Sequence, residues 1–127
     1  MGIAHIALWT HDLDAAAAFW RRYFDAQVGD PYASKRRPGF VSRFITLPGD
    51  DARIELMTGP WVASPTEADQ VGWDHVAVAL GSSAAVDALA ARCEADGLLV
   101  SAPRTTGDGY YEAVVRMPEG TLVEITP

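Results

Sequence analysis

The chain predicts an α+β protein in which two βαβββ modules form a curved mixed sheet around a central cavity. Three observations point there. Two strand-like segments, Gly2-Ile3-Ala4-His5-Ile6-Ala7-Leu8 and Gly72-Trp73-Asp74-His75-Val76-Ala77-Val78, are near copies offset by 70 residues. Each is followed by a helical pattern and then by further strands, so one order of elements occurs twice. Each copy closes on a strand carrying a glutamate: Glu55 lies 50 residues after His5, and Glu124 lies 49 after His75. A period near 70 is too long for a solenoid and indicates a duplicated module. The modules are expected at about 1–58 and 73–127, joined by a linker at about 59–72, within a single domain of 127 residues.

The elements follow in order. Residues 3–8 are apolar apart from His5, as in a largely buried strand. Asp12 suits a helix N-cap, and Leu13, Ala17, Trp20 and Phe24 then recur at helical spacing. Four consecutive alanines, 15–18, raise helix propensity further. Gly29, Asp30 and Pro31 close this part, 35–39 is a basic loop, and 40–47 is a strand. Pro48-Gly49-Asp50-Asp51 is a turn before a strand at 53–57. The polar, proline-punctuated stretch 59–72 is the linker.

In the second half, 73–80 is a strand, and Ser82 or Ser83 caps a helix. That helix buries Val86, Leu89, Ala90 and Cys93, and stops at Asp96-Gly97. A strand at 98–100, a loop rich in threonine and glycine, and a strand at 111–117 come next. Met117-Pro118-Glu119-Gly120 suits a type I turn, with proline second and glycine fourth, and 122–126 is the last strand.

Alternation along a strand assigns faces. His5 shares its face with Ile3, Ala7 and Trp9; His75 shares its face with Trp73, Ala77 and Ala79. The helices are expected on the opposite faces, over Ile6, Leu8, Val76, Val78, Val123 and Ile125. His5, Glu55, His75 and Glu124 then project from the uncovered faces, beside the small residues Ala7, Ala77 and Ala79. Two imidazoles and two carboxylates suit one zinc, nickel, cobalt, iron or manganese ion better than calcium or magnesium. Left uncompensated, such a quartet would be costly to bury, whereas a cation removes that cost. The bland alternatives are a hydrogen-bonded structural histidine and a glutamate facing water.

Bulk properties exclude other classes. Ten lysines and arginines against 17 aspartates and glutamates leave a net charge of −7, which disfavours nucleic acid and anionic membranes as partners. No apolar run reaches a membrane span, and the N-terminal stretch lacks a signal-peptide layout. A single cysteine fits a reducing compartment, so a cytoplasmic location is expected.

With these residues in hand, the chain resembles the vicinal oxygen chelate superfamily of glyoxalase I, methylmalonyl-CoA epimerase, extradiol dioxygenases, fosfomycin-resistance enzymes and bleomycin-binding proteins. The anchors are His5-Ile-Ala-Leu, Asp12-Leu-Asp-Ala-Ala-Ala-Ala-Phe-Trp, Ile54-Glu55-Leu56, Asp74-His75-Val-Ala-Val and Pro118-Glu-Gly-Thr-Leu-Val-Glu124-Ile, in that order along essentially the whole chain. The resemblance implies the glyoxalase/bleomycin resistance-type fold. It places metal ligands of the glyoxalase I branch at His5, Glu55, His75 and Glu124. Two departures argue against glutathione as substrate: Trp9 stands where an arginine is usual, and Gly59 where an asparagine is usual.

The expected function is a glyoxalase I-like lyase or isomerase acting on a small oxygenated substrate. A metal acting as Lewis acid would stabilise an enediolate while Glu124 or Glu55 removes a proton next to a carbonyl. Four protein ligands argue against an extradiol dioxygenase, which keeps three positions open with two histidines and one carboxylate. The alternatives are a bleomycin-resistance-type binding protein that needs no metal, a methylmalonyl-CoA epimerase-like enzyme acting on an acyl-CoA thioester, and, against that ligand count, a dioxygenase. Trp9, Arg53, Trp73, Tyr110 and Tyr111 are candidate substrate-binding residues, each with a core or surface role as the alternative. Arg43 is a further candidate of undetermined face. Lys35, Arg36 and Arg37 read as a solvated loop with an anion-holding alternative, His11 as exposed, and Cys93 as core. Sheet edges that pair readily predict a homodimer. The resemblance leaves the site within one chain or shared across two.

Overall fold

The computed structural model describes residues 1–66 and 69–127, so Glu67 and Ala68 of the expected linker lie outside the described residues. The chain divides into two compact units, Met1–Ser64 and Pro65–Pro127, at a boundary inside that linker. In the first unit, β1 (His5–Trp9) leads to α1 (Leu13–Phe24), the short β2 (Gln27–Val28) and β3 (Tyr32–Ala33), then β4 (Val41–Thr46) and β5 (Arg53–Thr58). The second unit contains β6 (His75–Ala79), α2 (Ser83–Ala95), β7 (Leu99–Thr105), β8 (Tyr111–Arg116) and β9 (Leu122–Thr126). Each unit has its own mixed sheet, ordered β1-β5-β4-β2 with β3 also on β4 in the first, and β6-β9-β8-β7 in the second.

The helices start and stop where local chemistry directs. Asp12 is extended, and its carboxylate accepts a hydrogen bond from the Ala15 N–H at 2.9 Å. Ser82, not Ser83, performs the same task for Ala85. At the end of α1, Asp25 adopts the left-handed conformation, which a short polar side chain tolerates. At the end of α2, Gly97 takes that conformation, and Leu98 N–H reaches back to the Cys93 carbonyl at 2.8 Å.

The expected faces are observed. In the first unit α1 buries Ala16, Ala17, Phe19, Trp20, Tyr23 and Phe24, and the sheet buries Ile45, Ile54 and Leu56. In the second, α2 buries Val86, Leu89, Ala90 and Cys93, and the sheet buries Val78, Ala113, Val115, Val123 and Ile125. Burying each large aliphatic side chain stabilises by about 1.5–3 kcal/mol. This one-sided packing sends the even-numbered β1 and β5 side chains to the core and leaves the odd-numbered ones free for chemistry.

Three strand assignments differ from the sequence expectation. The turn read at Gly29-Asp30-Pro31 is flanked by β2 and β3, each of two residues, too short for any periodicity. The strand expected to end at Val100 continues to Thr105, through what read as loop. Pro103 is tolerated there because β7 is an edge strand, paired with β8 alone and irregular between Leu99 and Arg104. Finally, β1 and β6 open on their histidines rather than two residues earlier. Among the described residues no helix is long and apolar enough to cross a membrane.

Candidate metal-binding pairs and an aromatic wall

Strand pairing builds the same motif in each unit. β1 runs parallel to β5 with Ala7 opposite Glu55, and β6 runs parallel to β9 with Ala77 opposite Glu124. Each glutamate therefore sits across from the residue two places after a histidine, on that histidine's face. An alanine at the crossing point leaves the two polar side chains free to lean together. His5 Nε2 comes within 3.9 Å of Glu55 Oε2, and His75 Nε2 within 3.2 Å of Glu124 Oε2. The two glutamate side chains are only 18% and 19% exposed, so each carboxylate has lost most of its water and needs a partner.

His75 has a further orienting contact. Its Nδ1 is 2.8 Å from Asp74 Oδ2. With the proton on Nδ1, Asp74 accepts it and Nε2 keeps the lone pair that a metal-ligating imidazole uses. Burial, together with the neighbouring Glu112 carboxyl hydrogen-bonded to it, pushes the Glu124 carboxyl above the usual carboxylate range; His75 and Arg104 pull the other way. Arg104 in turn holds Glu112 through a 3.0 Å ion pair. Asp74, Glu112 and Arg104 were absent from the sequence-based candidates. Parity along 111–117 was the available signal for Glu112, since it alternates with the buried Ala113 and Val115.

The donors suit a divalent ion by chemistry, each unit offering one imidazole nitrogen and one carboxylate oxygen. A pair is half of the expected quartet. Among the described residues no three His, Cys, Asp or Glu side chains gather as a ready-made metal site.

Around the first pair lies an aromatic wall. Phe44, directly opposite Glu55 on β4, meets the His5 ring edge-on at 5.6 Å, and the Arg53 guanidinium lies 4.3 Å over the Phe44 ring. Arg53 thus stays on the Glu55 face, as expected. Farther along β1, Trp9 stands edge-on to Phe40 at 6.1 Å and to Trp61 at 6.3 Å. Gly59 accommodates this wall: a Cβ there would fall 2.4 Å from the Trp61 ring. The asparagine absent from position 59 is thereby explained, since any side chain would occupy the indole's place.

Other candidates are placed elsewhere. Tyr111 does not join the Glu124 face; its hydroxyl donates to Asp87 of α2, on the helix-covered side with Ala113 and Val115. The same parity along 111–117 was the available signal, since Tyr111 alternates in step with Ala113 and Val115. Tyr110 is exposed at the loop preceding β8, where its carbonyl accepts from Thr106 N–H. Trp73 is 94% exposed just before β6. Arg43 also faces the helix side, bonded to the Gly29 carbonyl and to Asp14. His11, though exposed, has its Nε2 within 2.9 Å of the Val62 carbonyl and so ties down the segment bearing Trp61. Cys93 is fully buried.

Comparisons with known proteins agree with this architecture. Residues 2–125 match the family model described as Glyoxalase/Bleomycin resistance protein/Dioxygenase superfamily. The chain is 37% identical to the uncharacterized protein PA2024 of Pseudomonas aeruginosa strain PAO1, over 98% of this chain and 86% of that one. Its fold is similar to that of the trypanothione-dependent glyoxalase I of Leishmania major, with a TM-score of 0.76, 18% identity, and coverage of 99% and 86% of the two chains. It is similar also to a point mutant of the fosfomycin resistance protein FosX from Listeria monocytogenes, solved with Mn(II) and 1S,2S-dihydroxypropylphosphonic acid. There the TM-score is 0.73 and the identity 22%, covering 98% and 90% of the two chains. With two matched His/Glu pairs, a duplicated module and a family match spanning nearly every residue, the chain belongs to the glyoxalase/bleomycin resistance protein/dioxygenase superfamily, the vicinal oxygen chelate proteins.

Proposed function

We propose that the protein is a metal-dependent lyase or isomerase of the glyoxalase I type, acting on a small oxygenated substrate. One observation carries this reading: the same His/Glu pair recurs at equivalent strand positions in both units, His5 with Glu55 and His75 with Glu124. A protein that merely sequesters an apolar molecule gains nothing from two half-desolvated imidazole–carboxylate pairs. His5, Glu55, His75 and Glu124 would hold the ion, drawn from one chain or from the two chains of a homodimer. When bound, a divalent zinc, nickel, cobalt, iron or manganese ion would supply Lewis-acid polarisation of substrate oxygens.

The chain's own residues do the rest. Glu124 is the candidate base, taking a proton from the carbon next to a carbonyl on one of its carboxylate oxygens, and Glu55 is the candidate acid returning it. Asp74 holds the His75 ring in one orientation, and Arg104 with Glu112 limits the motion of the Glu124 carboxyl. The Trp9 and Trp61 rings form an apolar wall farther along β1 from the His5/Glu55 pair.

Two measurements test the reading. Purified protein loaded with zinc, nickel, cobalt, iron or manganese should retain stoichiometric metal, and His5→Ala or His75→Ala should lose it. Loaded protein should wash solvent deuterium into the carbon beside the carbonyl of a hemithioacetal or an acyl thioester. Retention of metal without exchange in either class would refute the lyase or isomerase assignment. Failure to hold any of these ions, with tight binding of an apolar drug instead, would favour a bleomycin-resistance-type role.

A further inference from the structure

We infer that Arg37 is an anion-binding residue, receiving the oxyanion end of a substrate whose body is flat and apolar. Its guanidinium lies 3.9 Å over the Trp61 ring and within 5.6 Å of Trp9 and 6.0 Å of Phe40. The sequence places Arg37 in a basic loop that read as solvated. It is exposed there, with its guanidinium lying over the Trp61 ring. A guanidinium stacked in this way keeps its N–H groups in the plane of the stack, so its hydrogen-bonding edge stays available while its conformational freedom is already reduced.

Two other arginines are neutralised. Arg43 is paired with Asp14 and Arg104 with Glu112. Among the described residues Arg37 has no carboxylate partner. The wall around it is built rather than incidental. Gly59 vacates the space that the Trp61 indole fills, and Gly39, with φ of +91°, lets the 34–40 loop press against Pro60. That loop is closed by three hydrogen bonds: Ser34 Oγ accepts from Arg37 N–H at 3.1 Å, the Arg37 carbonyl accepts from Phe40 N–H at 3.0 Å, and the Phe40 carbonyl accepts from Ser34 N–H at 3.0 Å.

Position then bounds the ligand. Trp9 and Met57 stand opposite each other, one same-face step beyond Ala7 and Glu55. Such a step is about 7 Å. A molecule anchored at Arg37 must therefore span at least about that step, one ring with a short arm, to come level with Glu55. The exposed parts of Trp9 and Trp61, 41% and 40% of each, offer the surface against which that ring lies. The position of the reacting end rests on the proposed proton-abstraction chemistry; the anchor at Arg37 does not.

The test is binding to the metal-free full-length chain, so the lyase reading can fail without affecting it, and the reverse. The probes are 3-phenylpropionate and phenylphosphonate, with 3-phenylpropionamide as the uncharged control, followed by calorimetry and quenching of tryptophan fluorescence. At least one anion should bind about tenfold more tightly than the amide, the scale of one charge-assisted, fork-shaped contact. Whichever anion binds better names the oxyanion as carboxylate or phosphonate. Arg37→Ala and Arg37→Gln should each abolish the preference, Arg37→Lys should keep part of it, and Arg36→Ala should leave it unchanged. Equal binding of acid and amide would overturn the inference, as would no binding up to about 10 mM, where even a contact worth only a few kcal/mol still registers. So would a preference that survives both Arg37→Ala and Arg37→Gln.

Discussion

Replacing Gly59 by alanine probes the aromatic wall with a single methyl group. The added Cβ would lie 2.4 to 2.8 Å from three atoms of the Trp61 ring, inside any real contact distance. Because Trp61 is 40% exposed, the indole can swing outwards rather than force the backbone apart. The cost is then bounded by what the swing removes: the stack with Arg37, about 0.5–1 kcal/mol at an exposed site, and the edge-on contact with Trp9, about 0.5–1.5 kcal/mol. Gly59→Ala should therefore destabilise by about 1–2.5 kcal/mol in urea unfolding followed by circular dichroism, and tryptophan emission should shift to the red. The decisive control is a double-mutant cycle. In a Trp61→Leu background the same alanine meets no indole and should cost less than about 0.5 kcal/mol. An equal cost in both backgrounds would show that glycine is needed at 59 for its backbone, and the packing account would fail.

Three further outcomes are expected. Asp12→Ala should cost about 1 kcal/mol by urea titration, since it deletes the acceptor for Ala15 N–H, while Asp12→Asn should recover most of it. Burial raises the Cys93 thiol from 9.0 to about 11, so the folded state holds this proton longer than the unfolded state. Its contribution is intact below pH 9.0 and is lost as pH climbs towards 11, falling by roughly 1.4 kcal/mol per unit; the stability slope of Cys93→Ala over that window should be correspondingly flatter. Trp20 is fully buried with its Nε1 unpartnered among the described residues. Trp20→Phe should cost less than about 2 kcal/mol, because shedding an orphan donor offsets lost packing, while Trp20→Ala should cost about 3–5 kcal/mol. Thermal unfolding with matched chemical denaturation checks both, and a Phe variant as damaged as the Ala variant would contradict the offset.

Local rules and repetition made much of the protein legible from residues alone. The cap at Asp12, a second at Ser82 or Ser83, and the stripes of both helices depend on spacing within a short stretch, and the His/Glu strands on a repeat offset by 70 residues; both are visible in one dimension. Where the signal was shorter than a period, or overruled by position in the sheet, sequence failed. Two-residue strands at Gln27–Val28 and Tyr32–Ala33 have no alternation to detect, and Pro103 marks a loop unless the strand is known to lie at an edge.

The site divides in the same way. Which residue types could bind a metal, and that His5, Glu55, His75 and Glu124 occupy equivalent places, followed from the duplicated sequence. That Ala7 faces Glu55 and Ala77 faces Glu124 required strand register, which depends on partners about fifty residues away. Tertiary structure alone turned Arg43 towards the helices, bonded Tyr111 to Asp87, brought Glu112 and Arg104 to Glu124, and laid Arg37 against Trp61. Side-chain chemistry is local and is carried by sequence, whereas the companionship of side chains is settled only when distant backbone segments pair and their faces are chosen by burial.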